Sequence, residues 1–354
     1  MKILLLSRYS RLGASSRLRT MQYLPYLTSN GIKVSVAPFF DDEYLKLLYS
    51  DNRSNFSILK YFYKRVIDIK NSSNIDLIWI EKEVMPWIPW FIENAIIPKN
   101  IPLITDYDDA VFHRYNQNKS SIVRNILGNK IGNIMKKSAL VIAGNSYLAD
   151  FAKKANAKNI EIVPTVVDLD AYKIRKEQLS KEEKLRVGWI GTPQTWKDLA
   201  SPIHAALDEL LENEDSIFYA VGASMTYSKK GTLEIIPWSE KEEVSLIQKM
   251  SIGVMPLPEN PWTKGKCGYK LIQYMACGLP VIASPIGVNC EIVEDGVDGF
   301  LVKDIQEWRD AVTLLLNDHN LRQQMGANGR KKVEKKYSLQ VWGPRIAKII
   351  TGVL

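Results

Sequence analysis

The chain has 354 residues, more than one ordinary hydrophobic core accommodates and enough for two domains of roughly 150–200 residues. Hydrophobic residues make up 46% and charged residues 24%, a soluble globular balance with no internal repeat or low-complexity tract. The formal net charge of +8 admits an anionic membrane surface, phosphate-bearing substrates, or a basic surface with no specific partner. Basic residues are spread along the whole chain without a nucleic-acid module, which argues against nucleic acid.

The opening apolar run, Ile3 to Leu6, is too short for a secretory signal, and no stretch of about 18 apolar residues offers a membrane span. The cysteines Cys267, Cys277 and Cys290 are few, odd in number and confined to the second half, which suits a reducing compartment. A cytoplasmic protein is expected. The cysteines lack metal-ligand spacing and the histidines His113, His204 and His319 are scattered, so no metal site is expected.

In chain order, Lys2 to Ser7 reads as a buried first strand ending in a polar loop. Leu18, Met21, Tyr23, Leu24 and Leu27 then recur at helical spacing up to Asn30-Gly31, and Ile32 to Pro38 reads as a second strand. This order implies a parallel sheet with right-handed crossovers. Further strands are read at Asp76–Ile80, Ile101–Thr105, Ala139–Ala143 and Ile160–Val163, with a helix from Ser146. Asp168 to Lys184 is charged and poor in apolar residues, a linker pattern. The alternation restarts at Leu185–Ile190. A helix carrying Ile203, Ala206, Leu207, Leu210 and Leu211 follows, then strands at Ser216–Val221, Leu233–Ile236, Ser251–Pro256 and Pro280–Ser284. Two successive α/β units suggest two Rossmann-like domains, with ligands at the carboxyl ends of the strands.

The most specific segment runs from Lys264 to Ser284. Gly265 and Gly268 flank a short loop before a helix from Tyr269 to Ala276, and Gly278-Leu279-Pro280 ends that helix. Backbone N–H groups at a helix start, with Lys264, Lys266 and Lys270 around them, suit a diphosphate. The plain alternative is a surface helix with solvated lysines. After the strand ending at Ile190 comes the loop Gly191 to Lys197, where Lys197 is either an anion ligand or a helix-start surface residue. After the first strand, Gly13, Ser15, Ser16 and Arg17 suit a phosphate or sugar, or form a simple turn; a Gly-x-Gly-x-x-Gly dinucleotide fingerprint is absent. Asp106, Asp108 and Asp109 follow another strand and can serve sugar hydroxyls, a metal or a general base, or cap a helix. The segments Phe56–Arg65 and Trp79–Phe91 mix aromatics with basic residues, as a membrane-docking surface does, though most such stripes are core.

The run from Lys270 to Ser284, continued by Pro285 to Val302, resembles the donor-binding segment of glycosyltransferase family 4, the large retaining GT-B group. The glycine loop at Gly13, the Asp-rich turn and the Pro164–Asp168 junction extend the resemblance less distinctly into the first half. It implies an α/β, GT-B fold, two Rossmann-like domains with parallel sheets facing across a cleft. Residues 1–168 would form the acceptor domain, a C-terminal helix at 338–354 would pack back on it, and 185–337 would form the nucleotide-sugar donor domain. It also implies transfer of a sugar, with retention and without a metal or other cofactor, from a nucleotide-diphosphate donor to a saccharide or lipid-linked saccharide acceptor. The setting would be polysaccharide biosynthesis, cytoplasmic or peripheral at the inner face of the membrane.

The resemblance carries Gly191 and Lys197 to the donor diphosphate and Gln273 to the ribose, with Gly13 and Arg17 beside the phosphates, while Lys264, Lys266, Lys270 and the amide of Gly268 are the candidates to supply the remaining positive charge. It places Glu291 near the donor sugar and Asp106, Asp108 and Asp109 on the acceptor side. Two departures stand out. Many members carry two glutamates eight positions apart, which here fall on Gly265 and Gln273, and an arginine expected after Gly191 is replaced by Thr192 or nearby polar residues. A sugar-nucleotide epimerase or hydrolase, or a non-catalytic partner subunit of the same fold, are the alternative readings.

Overall fold

A computed structural model describes residues 1–49, 58–71, 74–174, 184–198, 216–223 and 233–354. It divides into two compact units. The first comprises Met1–Thr165, Gly265–Cys267 and Trp342–Leu354; the second comprises Val166–Lys264 and Gly268–Val341.

In the first unit, strands β1 (Lys2–Leu6), β2 (Lys33–Val36), β3 (Leu77–Glu81), β4 (Leu103–Tyr107), β5 (Leu140–Ala143) and β6 (Ile160–Ile162) form one sheet in the order β2-β1-β3-β4-β5-β6. Every pairing is parallel. The central strands β3, β4 and β5 are buried along their whole length, as expected where helices cover both faces. On one side Leu4, Leu6, Ile78 and Ile80 pack with Phe39, Phe40 and Tyr61. Elsewhere Tyr107, Val141 and Ala143 pack with Ile131, Ile134 and Met135 of the helix Lys130–Lys137. The single helix expected after β1 is broken. It runs as Ala14–Arg19, a 3-10 turn Met21–Tyr23, and Leu24–Ser29. Pro25 has no N–H to donate to the carbonyl of Met21, so a continuous α-helix through Thr20 is not available.

In the second unit, β7 (Leu185–Ile190), β8 (Ser216–Val221), β9 (Leu233–Ile236), β10 (Ile252–Met255), β11 (Val281–Ala283) and β12 (Gly299–Leu301) form a second sheet, ordered β12-β11-β10-β7-β8-β9 and again all parallel. The short β12 has no period long enough to stand out in the sequence. The helix Tyr269–Ala276 buries Leu271, Ile272, Tyr274 and Met275 against one face, and Trp308, Val312 and Leu315 of the helix Ile305–Asn317 cover residues of the other. The helix read through Ile203 to Leu211 lies outside the described residues, as does most of the linker read between Asp168 and Lys184.

In each sheet the strand order reverses once, between β1 and β3 and between β10 and β7. Ligands of doubly wound sheets bind at the carboxyl ends of the strands at such a switch point. The topology therefore directs attention to the loops after β1 and β3 in the first unit and after β7 and β10 in the second.

Candidate functional site

The first unit gathers charge at its switch point. Register pairs Glu81, the last residue of β3, with Asp106 of β4. Glu81 is fully buried and accepts hydrogen bonds from the Arg8 amide at 2.9 Å and from the Ser16 hydroxyl at 2.5 Å. The Ser15 hydroxyl lies 2.8 Å from Glu81 Oε1 and 2.7 Å from Asp108 Oδ2. It has one proton, so it can donate to only one of them at a time. Lys82 Nζ supplies further donors, 3.0 Å from Ser15 Oγ, 2.8 Å from Asp108 and 4.0 Å from Asp109.

Lys82 adopts a left-handed backbone with φ of +66°, a conformation that costs a non-glycine residue about 1–2 kcal/mol and tends to persist where the surroundings over-determine it. Burial opposes the Lys82 ammonium, but Asp108, Asp109 and Glu81 outweigh it and hold its pKa above the usual lysine value. Burial likewise opposes the Asp108 carboxylate. The Lys82 charge and hydrogen bonds from Lys82 and Ser15 reverse that and bring its pKa down to about 2.

Asp106 is differently placed. It is 1% exposed and bound by Arg19 through Nε to Oδ1 at 2.8 Å and Nη2 to Oδ2 at 3.2 Å. Burial raises Asp106 to about 6 against the pull of Arg19. Arg19 also donates to the Val163 carbonyl at 2.8 Å. Gly13 caps the helix Ala14–Arg19, and a Cβ there would stand 2.3 Å from Tyr9 Cβ, so the close approach of the two segments requires glycine. Arg17 is 7% exposed and its Nη1 donates to the Arg11 carbonyl at 3.1 Å.

Lys266 belongs to this first unit. The tripeptide Gly265–Cys267 is held by Asn145, whose Nδ2 donates to the carbonyls of Gly265 at 3.1 Å and Lys266 at 2.9 Å. The Cys267 thiol donates to the Asp108 carbonyl at 3.0 Å. A Cβ on Gly265 would meet Ala110 Cβ at 2.5 Å. Lys266 Nζ is thereby set 3.2 Å from Asp109 Oδ1. Asp108, Asp109 and Lys266 thus come together with Ser15 and Lys82.

The second unit has its own constellation. Gly191 directly follows β7, and a Cβ on it would fall 2.4 Å from Trp189 Cη2 and 3.0 Å from Lys270 Nζ. Lys270 Nζ stands 4.4 Å from the centroid of one Trp189 ring, a cation–π distance. Gly268, with φ of +64°, is the N-cap of Tyr269–Ala276, and a Cβ there would strike Ile292 Cδ1 at 2.3 Å. At the start of that helix, beside Lys270, the Leu271 and Ile272 amides donate to the Gly268 carbonyl at 3.0 and 3.4 Å. Lys264 is paired with Glu259 at 3.0 Å and stays half-exposed. Glu291 is exposed on the helix Asn289–Ile292. Gln273 is 3% exposed and donates to Tyr172 and Glu243 of the same unit. Lys197 lies in the helix Pro193–Asp198; its side chain is outside the described structure.

Sequence reasoning missed Glu81, Lys82 and Glu83, which it read as part of an aromatic and basic stripe, either core or a membrane-docking surface. The available signal was three consecutive charges directly after a strand of continuous apolar residues. Glu83 is buried, bound by Lys130 at 2.7 Å, Arg8 at 2.8 Å and the Tyr115 hydroxyl at 2.7 Å. Tyr172 and Glu243 were also missed, and their spacing from Gln273 gives no local pattern.

Residues 184–318 match the family of glycosyl transferases group 1. An uncharacterized glycosyltransferase of Methanocaldococcus jannaschii is 23% identical over 224 residues, covering 58% of this chain and 56% of that relative. A capsular polysaccharide biosynthesis glycosyltransferase of Staphylococcus aureus is 30% identical over 102 residues, 28% of this chain and 26% of the relative. These alignments span about half and about a quarter of the relatives' lengths. The crystal structure of Anabaena HepE with UDP-glucose superposes with a TM-score of 0.73 at 17% identity, covering 99% of this chain and 100% of that one. That likeness carries the fold, α/β of the GT-B type with two Rossmann-like units. The segment that matches glycosyl transferases group 1 falls in the second unit apart from Gly265–Cys267.

Proposed function

We propose that the protein transfers a glycosyl group from a nucleotide-diphosphate sugar to a saccharide or lipid-linked saccharide acceptor, in polysaccharide synthesis. The observation that carries this is the Gly191–Lys270–Gly268 arrangement at the switch point of the second sheet, inside the segment that matches glycosyl transferases group 1. The hard step is departure of the nucleotide diphosphate. Helix N–H groups and a fixed ammonium stabilise the negative charge that develops there, with no reorganisation during reaction. Gln273 takes the ribose. Asp108 and Asp109, held by Lys82 and Lys266, take acceptor hydroxyls. Retention at the anomeric carbon and independence of metal belong to the same reading.

Incubation of the protein with a panel of nucleotide-diphosphate sugars, with and without saccharide or lipid-extract acceptors, tests it. Sugar incorporated into acceptor, with stoichiometric nucleoside diphosphate, is the expected result. Nucleoside diphosphate release that is the same with and without acceptor would contradict transfer.

A lipid-linked acceptor agrees with a surface of the first unit. Leu59 is 77%, Tyr63 71% and Phe91 70% exposed, with Lys60 and Lys64 on the same helix as the first two. Among the described residues no helix is long and apolar enough to cross a membrane. Replacing Leu59, Tyr63 and Phe91 with serine is expected to reduce co-sedimentation with anionic vesicles several-fold, from apolar burial of about 25 cal/mol per Å2; unchanged co-sedimentation would remove membrane contact from the account.

A further inference from the structure

Residues 82–89 join β3 to the helix Trp90–Ile96. Two of them, Lys82 and Trp87, hold left-handed backbone with φ of +66°. The Glu83 amide donates to the Glu81 carbonyl at 2.8 Å across Lys82, the closure of a γ-turn in its rare positive-φ form. Residues other than glycine keep such a conformation only where their surroundings over-determine it.

The surroundings here are a buried ionic network within the first unit. Lys130 comes from the helix Lys130–Lys137, and its side chain and those of Glu83 and Glu93 are 0% exposed. Its three protons have three acceptors: Glu83 Oε2 at 2.7 Å, the Met85 carbonyl at 2.7 Å and Glu93 Oε1 at 3.0 Å. Glu93 Oε1 also accepts from the Met85 amide at 2.7 Å. The Tyr115 hydroxyl donates to Glu83 Oε2 at 2.7 Å and accepts from the Trp87 amide at 3.1 Å. Arg8 completes the network, 2.8 Å from Glu83 Oε1. Glu83, Met85 and Trp87 are thus each held by a side chain from outside the loop. Lys82, next in the chain to Glu83, carries the consequence to the switch point, where its Nζ is 2.8 Å from Asp108 and 4.0 Å from Asp109.

We infer that Lys130 and Tyr115 are positioning residues, which hold the loop 82–89 in the backbone path that sets the Lys82 ammonium against Asp108 and Asp109. Both lie outside the segment that matches glycosyl transferases group 1. The consequence for transfer rests on the reading above that Asp108 and Asp109 take acceptor hydroxyls: Lys82 fixes those carboxylates for an acceptor only while the network fixes Lys82.

Lys130→Met alone leaves Glu83 and Glu93 with Arg8 as their one cation in the network, and a buried charge left uncompensated endangers folding. The double variant Lys130→Met/Glu93→Gln leaves Arg8 opposite Glu83, one charge each. Glutamine suits position 93 because burial already pushes that carboxyl up to about 7 against the pull of Lys130, and an amide carbonyl still accepts from Met85. Tyr115→Phe is the second variant, which deletes one oxygen and no charge.

Timed acetylation of the full chain with acetic anhydride, read at each lysine by mass spectrometry, tests the inference, with thermal unfolding as the folding control. Amines react as the free base. Burial disfavours the Lys82 ammonium, but Asp108, Asp109 and Glu81 outweigh it and hold its pKa above the ordinary lysine value, so Lys82 of the wild type is expected to react slowly. Parted from its carboxylates it titrates lower, and each unit of lowering multiplies the free amine about tenfold. At about pH 8, Lys82 is expected to react at least about fivefold faster in the double variant and about twofold faster in Tyr115→Phe, its pH profile moving to lower pH. Lys332 of the second unit, ion-paired with Asp298 and Glu294, should keep its wild-type rate. Unchanged Lys82 reactivity in the folded double variant, or Lys82 and Lys332 rising together, would overturn the positioning claim. Where the double variant does not fold, Tyr115→Phe carries the same decision.

Steady-state transfer separates this claim from the acceptor reading. With the nucleotide sugar and acceptor that support turnover, acceptor KM is expected to rise about tenfold in the double variant and donor KM to stay within about twofold. A released Lys82 with unchanged acceptor KM would leave the positioning claim standing and overturn the acceptor role of Asp108 and Asp109.

Discussion

The side chains that matter most are those whose charge is committed to one partner. Arg19 and Asp106 form a pair with side-chain exposures of 1% and 2%. Replacing Arg19 with methionine strands the Asp106 carboxylate without a cation, and removal of one member of a buried pair typically costs about 3–5 kcal/mol. Urea unfolding should show a loss of that size, and a loss below about 1 kcal/mol would mean that Asp106 is relieved by protonation or water.

Lys82 and Asp108 give a pH signature. Asp108 has a folded pKa of about 2, below its ordinary value of 3.8. A depressed carboxyl contributes stability that is present above the unfolded pKa and is lost as pH falls through the folded one. The stability deficit of Lys82→Met relative to wild type should therefore be full at pH 6 and shrink between about pH 4 and pH 2. A deficit that does not change over that window would disconnect Lys82 from Asp108.

The three aspartates at the end of β4 and just after it were legible from their position, but their separate roles were not. Whether a carboxylate meets Arg19, as Asp106 does, or Lys82 and Lys266, as Asp108 and Asp109 do, depends on partners 87, 26 and 157 residues away in the chain.

At the scale of elements, the strands were legible because a parallel strand covered on both faces is a continuous apolar run. The helix Tyr269–Ala276 was legible because Gly268 and Gly278 bracket it, both with positive φ. The break at Thr20 was not, because apolar spacing continues through it and only Pro25 marks it. The packing of the helix His319–Lys336 was also hidden. Gly326 and Gly329 lie on that helix, and a Cβ on them would stand 1.9 Å from the Gly278 carbonyl oxygen and 2.9 Å from Met275 Cγ. These glycines let the helix pack close against the segment Met275–Gly278.

Gly326→Ala forces backbone against a side chain, so either helix must shift. Overpacking of this kind costs about 1–3 kcal/mol, against about 1 kcal/mol gained in helix propensity. A drop in thermal midpoint is expected, and a midpoint at or above wild type would show that the helices separate freely.

At the scale of the whole molecule, the restart of the strand–helix pattern at Leu185 announces two α/β units. The chain's assignment to them is less simple than its order. The first unit takes back Gly265–Cys267 and Trp342–Leu354. Lys266 sits beside Asp109, while its sequence neighbours Lys264 and Lys270 belong to the second unit. Spacing alone groups the three lysines as one cluster, because sequence proximity carries no information about a tripeptide held by Asn145.

The claim on which the rest depends is that the second unit binds a nucleotide-diphosphate sugar. Thermal unfolding of the whole chain in the presence of UDP-, GDP-, TDP- and ADP-sugars tests it most directly. A ligand that binds only the native state adds about 2.7 kcal/mol at one hundred times its Kd, so the midpoint should rise with concentration for one nucleotide class. The same midpoint with every nucleotide sugar at millimolar concentration would contradict the account.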